Sequence, residues 1–191
     1  RSPTVTGVQT CALPIYYNKH GNVLIRTKEV MGKMADRYIA YYEAPFGLLL
    51  LESTEDVLLR CKWVEDKTKP ETETRPILEE TKSQLAEYFD GKRQTFNLSI
   101  NALGTAFQKK VWKVLRTIPY GEIQTYQDIA DAIGNPTAPR AVGRANNKNP
   151  LQIIIPCHRV IATSGLLTGY AGGVEIKKDL LDLERKNLRN F

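Results

Sequence analysis

The sequence has few cysteines and no long apolar run, and both absences restrict what the protein can be. Its three cysteines lie at positions 11, 61 and 157. An odd count at such wide spacing predicts neither a disulfide framework nor a C-x-x-C zinc or redox site. No run of about 18 apolar residues indicates a membrane-spanning helix, and no secretory signal is recognisable. We therefore expect a cytoplasmic globular protein that holds no metal ion and no cofactor.

The first part of the chain does not have the pattern of a folding element. Val5 to Ile15 (VTGVQTCALPI) resembles the translation of a common sequencing-adapter oligonucleotide. We expect residues 1–33 to be a non-native or disordered leader that packs on nothing. Met31 and Met34 are then candidate start residues, and Cys11 takes no part in the chemistry.

Charge is distributed unevenly along the chain, which carries a net charge of +6. Residues 34–102 contain 9 Lys/Arg against 13 Asp/Glu, a net charge of −4, whereas residues 103–191 contain 13 against 7, a net charge of +6. This asymmetry is typical of a two-part protein in which only the C-terminal part contacts phosphates. A solvated basic face unrelated to nucleic acid is the alternative.

Residues 34–101 predict a small α/β domain. Pro76 suits the first turn of a helix that continues to Phe89 and that Asp90-Gly91 ends. Cys61 falls in an apolar run and is expected to be a small buried side chain. Apolar runs bounded by turn residues predict four strands, at Tyr38–Tyr42, Leu48–Leu51, Val57–Val64 and Thr95–Ile100.

Residues 102–191 predict a mostly helical domain. A Thr105-x-x-Gln108 capping box precedes an apolar stripe with a period of 3.6 residues, and Thr125-x-x-Asp128 caps a shorter helix. A second short helix is predicted from Ala138 to about Asn147. Two short helices joined by a tight turn are typical of a helix-turn-helix.

The second of these short helices has a thin basic face. Arg140 and Arg144 are four residues apart and share one side of the helix. Ala138, Ala141 and Gly143 keep the helix narrow, so that its backbone could approach DNA closely. The alternative is that the small residues only permit helix packing and that both arginines are solvated.

A single Cys-His pair is the strongest chemical signal. Leu151–Ile155 predicts a buried strand that Pro156 ends, so that Cys157 is presented from a stiff backbone. His158 follows directly and is one of only two histidines. We expect a neighbour such as an imidazole, acting through a water, to lower the pKa of the thiol and so to activate it. A buried thiol beside a structural histidine is the alternative.

The last predicted helix, from about Val174 to Leu188, carries an acid on its apolar face. Glu184 lies on the same stripe as Leu180, Leu181 and Leu188, where an ionised acid needs a partner. His158 is the expected partner, which would give a Glu-His-Cys relay. Pairing of Glu184 with Arg185 at the surface is the alternative. The glycine-rich run 164–173 could line a pocket with backbone N–H groups.

The C-terminal part strongly resembles the O6-alkylguanine-DNA alkyltransferases. The motif IIPCHRV, at 154–160, carries the resemblance, which extends from Phe107 to about Arg185. The other matching segments are Tyr120-Gly121-Glu122, Thr125-Tyr126, Pro139-Arg140-Ala141-Val142-Gly143, Asn149-Pro150 and Gly169-Tyr170-Ala171-Gly172-Gly173. The N-terminal part is similar only in its order of elements and in Ala44-Pro45-Phe46-Gly47.

The resemblance implies a role for each matching position. Cys157 would accept the alkyl group while His158 and Glu184 draw its proton away through a water. Asn149 would brace the active-site turn, and Tyr126 would donate a proton or hydrogen bond to the departing guanine. The implied base pocket comprises Val160, Tyr170 and Ala171. The implied DNA contacts are Arg140, which would enter the base stack, and Thr125, Ala138, Gly143 and Arg144.

The resemblance also implies fold and partner. It implies a ribonuclease H-like α/β domain followed by a winged-helix-like domain with a helix-turn-helix. The partner would be double-stranded DNA, bound through its minor groove by a monomer, with the alkylated guanine flipped out. The reaction would be an irreversible transfer of a methyl or small alkyl group; repair of O4-alkylthymine and cooperative binding along DNA stay open.

Three other functions are weighed against this one. A non-enzymatic lesion sensor would lack the nucleophile, and Cys157 argues against it. A winged-helix transcription regulator would need base-reading side chains where the second short helix has alanines. A thiol hydrolase would need an oxyanion hole. Two positions depart from the family pattern: Gln152 stands where proline is more frequent, and Asn147 where glycine is frequent.

Overall fold

The structure, a computed structural model, describes residues 36–167 and 169–188 and the backbone of residues 16–17 and 23–24. The chain divides into two units, residues 1–35 and 36–191. In the first unit, β1 (Tyr16–Tyr17) and β2 (Val23–Leu24) form an antiparallel pair. The remainder of the expected leader, residues 1–33, lies outside the described residues, so its lack of packing stays a prediction.

A small antiparallel sheet with one helix opens the second unit, as the apolar runs predict. Helix α1 (Pro76–Phe89) has the predicted bounds and packs on the sheet, where Phe89 stacks on Tyr42. Cys61 is fully buried in the last strand of this sheet, as expected. The strand order is β3-β4-β5, and the strands are β3 (Tyr38–Ala44), β4 (Gly47–Ser53) and β5 (Leu58–Val64).

The predicted strand at Thr95–Ile100 is wrong. Only Ile100 forms a bridge, in parallel with Leu58 of β5. Further back, the amide side chain of Gln84 takes the place of a neighbouring strand: it donates to the carbonyl of Asn97 at 3.0 Å and accepts from its N–H at 2.9 Å. The segment therefore lies along α1 and meets the sheet only at its end.

The C-terminal part is mostly helical, and both predicted capping boxes are present. The side chains of Thr105 and Thr125 each accept the backbone N–H three residues on. A short parallel pair, β6 (Gln124–Thr125) and β7 (Val160–Ile161), adjoins the helices. The helices are α2 (Ala106–Leu115), α3 (Tyr126–Ala132), α4 (Pro139–Asn147) and α5 (Val174–Leu188).

The apolar stripe of α5 is shorter than predicted. Leu180 and Leu181 are buried, but Leu188 is 42% exposed. The core-facing part of the helix therefore ends near Glu184, which is itself fully buried.

Leu151–Ile155 is not a strand, which corrects the sequence prediction. The segment is a tight turn closed by a bridge between Gln152 and Ile155, and a second bridge joins Leu151 to Cys61 of β5. Ile153 has φ of 72°, a conformation that β-branched residues rarely adopt. A 3-10 turn, Cys157–Arg159, follows Pro156. A short apolar run is compatible with a buried turn as well as with a buried strand.

Within the part of the chain that the structure describes, no helix combines the length and the apolar character needed to cross a bilayer.

We expect Thr105→Ala to lower the free energy of unfolding by about 1 kcal/mol, because the substitution removes the cap of α2. Urea denaturation measures the change. Thr95→Ala is the matched control, since this exposed threonine caps no helix. Equal losses in the two variants would contradict the role of the cap.

Candidate functional site

Cys157 lies at the start of the 3-10 turn and is 2% exposed. Asn149 holds this turn: its Nδ2 donates to the Cys157 Sγ at 3.0 Å and to the Ile155 carbonyl at 2.8 Å. Asn146, on α4, donates to the Cys157 carbonyl at 3.1 Å. Cys157 is therefore fixed by two amide side chains from the segment that precedes the turn.

The Cys157 thiol is protonated at neutral pH. Burial raises its pKa to about 11, although the hydrogen bond from Asn149 and the positive charge of Lys177 act in the opposite direction. The expectation that a neighbour lowers this pKa is wrong for the protein in this state, because desolvation of the thiolate outweighs its partners.

Glu184 is fully buried, and its carboxylate accepts from five N–H or O–H groups. Its oxygens accept from Tyr88 Oη at 2.7 Å, from the Gly121 N–H at 2.9 Å and from the Arg159 guanidinium at 2.9 Å through both Nε and Nη2. His158 Nε2 lies 2.8 Å from Oε1. Burial alone would raise the pKa of Glu184, but His158 and Arg159 outweigh it and hold the pKa well below its usual range. Arg185, the alternative partner for Glu184, has its Nη1 atom 3.9 Å from Asp182 Oδ1 instead.

The contact with Glu184 determines which nitrogen of His158 can accept a proton. Burial lowers the pKa of His158, so the imidazole is neutral at pH 7. Because Glu184 is ionised and can only accept, Nε2 must carry the hydrogen and donate it. The lone pair is then on Nδ1, which is buried and has no hydrogen-bond partner among the described protein atoms. Nδ1 is the basic atom of the site.

Two buried cations belong to the site although the sequence analysis did not select them. Arg159 is 6% exposed and also donates to the Ile118 carbonyl at 2.7 Å. Lys177 is fully buried and donates to the Val160 carbonyl at 2.6 Å. Burial lowers the pKa of Lys177 to about 8. Lysine and arginine are seldom buried, so composition did not indicate that these two residues belong to the site. The spacing of Lys177 was an available signal, because it lies seven residues before Glu184 on the same face of the helix.

Two of the three expected base-pocket residues, Val160 and Tyr170, are buried in the same cluster as Cys157. Val160 is fully buried, and Tyr170 is buried with its hydroxyl 3.1 Å from Trp63 Nε1. Burial raises the pKa of Tyr170, and the charge of a Cys157 thiolate acts in the same direction. Ala171 is exposed on the loop that follows.

A groove of about 760 Å³ runs along the exposed side of α4. It brings together three of the residues expected to contact DNA, Arg140, Gly143 and Arg144, with Tyr126 at the start of α3. Thr125 and Ala138 do not line the groove; they occupy the N-cap positions of α3 and α4. The remaining lining residues are Gln127, Pro139, Asn147, Lys148, Ala162, Thr163 and Gly169.

Among the described residues, no group of three or more His, Cys, Asp or Glu side chains could hold a metal ion.

We expect Glu184→Gln to lower the free energy of unfolding by about 3–5 kcal/mol at pH 7, because the Arg159 charge loses its partner in the interior. Glu184 has a lowered pKa, so its contribution is complete above about pH 4.3 and is lost as the pH falls below that value. The difference from the wild type should therefore narrow between about pH 5 and pH 3.

Denaturant titrations across this pH range measure the difference. Asp182→Asn is the control, because it removes an exposed acid from the same helix and should leave stability nearly unchanged. A difference that stays constant with pH would contradict the ionised state assigned to Glu184.

Comparison with known proteins covers both parts of the chain. Residues 37–102 match the ribonuclease-like domain of 6-O-methylguanine DNA methyltransferase, and residues 106–186 match its DNA binding domain. The chain is 48% identical over 157 residues to the methylated-DNA--protein-cysteine methyltransferase of Methanosarcina barkeri, covering 80% of this chain and 99% of that protein. It is 47% identical to the constitutive enzyme of Bacillus subtilis, covering 78% and 95%.

Solved structures agree with the sequence matches. The crystal structure of the Mycobacterium tuberculosis O6-methylguanine methyltransferase superimposes with a TM-score of 0.74 at 42% identity, covering 80% of this chain and 94% of that one. A structure of the same organism's protein in complex with DNA gives a TM-score of 0.72 at 44% identity, covering 77% and 92%. The chain therefore belongs to the 6-O-methylguanine DNA methyltransferase family.

Proposed function

We propose that this protein repairs DNA by moving a methyl or small alkyl group from the O6 atom of guanine to the Sγ of its own Cys157. The observation that carries the proposal is the buried Cys157 beside a His158–Glu184 pair, in a chain that belongs to this family. Relatives at 45–48% identity are named methylated-DNA--protein-cysteine methyltransferases.

The transfer exchanges one bond for another at the alkyl carbon. The bond from that carbon to O6 breaks, and a bond to Sγ forms. The thiol proton passes through a water to His158 Nδ1, and Tyr126 is the proposed donor of the proton that the guanine takes up. The imidazolium then releases a proton and Tyr126 regains one, so that no proton is gained or lost overall. The thioether product has no easy leaving route, so each protein molecule reacts once.

The raised pKa of Cys157 means that the thiol must lose its proton during the attack on the alkyl carbon and not before it. A thiol with a pKa of about 11 is a weak nucleophile at neutral pH, so the proton must be removed as the alkyl carbon is attacked. A neutral imidazole held by an ionised Glu184 suits this task, because the carboxylate stabilises the imidazolium that forms. Asn149 orients Sγ, and Lys177 stabilises the developing thiolate charge.

Access to a paired base requires that the nucleotide leave the duplex. The α3–α4 pair is proposed to act as a helix-turn-helix in a winged-helix-like domain, with α4 docked in the minor groove. Gly143 and Ala138 keep this helix thin, Thr125 and Arg144 contact the backbone, and Arg140 fills the gap left by the flipped guanine.

The flipped base is proposed to lie against Val160, Tyr170 and Ala171.

We further propose domain limits of 34–101 (ribonuclease H-like) and 102–191, a leader at 1–33, action as a monomer and a cytoplasmic location. A lesion sensor without transfer activity is not favoured, because the nucleophile is present and oriented.

We expect Cys157→Ser to retain binding to duplex DNA but to accept no alkyl group, because a hydroxyl is far less acidic and less nucleophilic than a thiol. Gel-shift titration measures binding, and intact-mass spectrometry measures transfer. Cys61→Ala is the control: it removes the other described buried thiol, and Cys157 should still be methylated. Transfer to the Cys157→Ser protein would contradict the assignment.

We expect Arg140→Ala to slow repair in duplex DNA by on the order of ten-fold or more, with little effect on reaction with free O6-benzylguanine, since the free base needs no flipping. Rates of Cys157 alkylation measure both. Arg116→Ala is the control, because this exposed cation lies outside the α4 groove. Equal losses on both substrates would show that Arg140 does not assist flipping.

A further inference from the structure

Trp63, a side chain of the N-terminal sheet, reaches the proposed base pocket. This residue lies near the end of β5, and its indole Nε1 donates to the Tyr170 hydroxyl at 3.1 Å. The two residues are 107 positions apart and come from the two different family-matched regions. A residue of the ribonuclease-like region thus touches the wall beside Cys157.

Gln152 fixes the position of Trp63. The backbone of β5 pairs with the segment before the active-site turn, since the Cys61 N–H donates to the Pro150 carbonyl at 2.9 Å and the Gln152 N–H donates to the Cys61 carbonyl at 2.8 Å. The buried Gln152 side chain extends this pairing, because its Oε1 accepts the Trp63 N–H at 2.8 Å. A proline at this position could form neither Gln152 bond.

The loop after Tyr170 lies directly on the indole ring. A Cβ added at Gly172 would be 2.4 Å from Trp63 Cδ1 and 2.9 Å from Tyr170 Cε1, so glycine is needed for this approach. The benzene part of the same indole lies close to Gly47 at the start of β4, since a Cβ added there would be 3.6 Å from Cε3. The indole therefore packs against both the 169–173 loop and the β3–β4 hairpin.

Tyr170 is restrained at both ends. Its carbonyl accepts the Gly173 N–H at 3.1 Å, and its hydroxyl accepts from Trp63. The ring is buried in the same cluster as Cys157 and Val160. Movement of the ring away from Cys157 would leave the indole N–H and the hydroxyl without their mutual bond, which is costly in a buried position.

We propose that Trp63 is a specificity-determining positioning residue: by holding the Tyr170 hydroxyl, it limits the size of the O6 substituent that can stand in front of Cys157. The inference rests on the proposed function, because it concerns the same pocket. Trp63 does not contact the reacting atoms and acts only through Tyr170 and the 169–173 loop.

The test compares two lesions in the same duplex, O6-methylguanine and O6-n-propylguanine, by intact-mass measurement of the rate of Cys157 alkylation. Trp63→Phe keeps an aromatic ring but removes the N–H. We expect it to raise the propyl-to-methyl rate ratio about five-fold, the factor that corresponds to one net hydrogen bond. Tyr170→Phe removes the same bond from the other side and should shift the ratio in the same direction, and the double variant should add nothing further.

Trp112→Phe is the matched control. Trp112 is buried, whereas Trp63 is half-buried, and its indole N–H donates to the Ala145 carbonyl at 2.9 Å, so the variant loses an indole hydrogen bond away from the pocket wall. Its rate ratio should stay within about two-fold of wild type. If Trp63→Phe fails to fold, Tyr170→Phe tests the same bond.

Three results would overturn the inference: an unchanged ratio in the Trp63→Phe and Tyr170→Phe variants, an equal shift in Trp112→Phe, or additive shifts in the double variant. A wild-type protein that takes no methyl group from O6-methylguanine would instead contradict the proposed function, and the inference would fail with it.

Discussion

The buried carboxylate of Glu184 is the group on which the rest of the site depends. An ionised acid in the interior is tolerated only when its oxygens are fully bonded, and here the donors come from α1 (Tyr88), from the turn before β6 (Gly121) and from the 3-10 turn (His158 and Arg159). These segments span both family-matched regions. The same charge also orients the imidazole of His158, so that the contacts that stabilise the interior also position the proposed base.

The resting nucleophile is a protected thiol rather than a free thiolate. Burial keeps Cys157 protonated, while Asn149 aims its sulfur and Lys177 supplies a positive charge nearby. A protein that reacts only once gains from such an arrangement, because oxidation or chance alkylation of an exposed thiolate would inactivate it before it met a lesion. Activation is then coupled to the substrate: the proton leaves when an alkyl carbon is in place.

Local signals in the sequence were sufficient for most elements of the fold. The bounds of α1 and α5, both threonine capping boxes and the three-stranded sheet follow from residue pattern alone, and the Cys157-His158 pair pointed to the site. The two wrong strand predictions have a common physical origin, because in both segments a side chain forms hydrogen bonds that a neighbouring strand would otherwise form. The Gln84 side chain bonds the backbone of Asn97, and the Asn149 side chain stabilises a turn where an apolar run predicted a strand. Arg159 and Lys177 could not be recognised, since only tertiary structure shows that a cation is buried with a partner.

The central claim is that Cys157 is a stoichiometric alkyl acceptor, and an intact-mass titration tests it most directly. The wild-type protein is incubated with increasing amounts of duplex DNA containing O6-methylguanine, and each product is digested to locate the added group. The account predicts a gain of one methylene on the peptide that carries Cys157, with repaired lesions never exceeding protein molecules. An unchanged mass with tight lesion binding, or repair that continues beyond one lesion per protein, would contradict it.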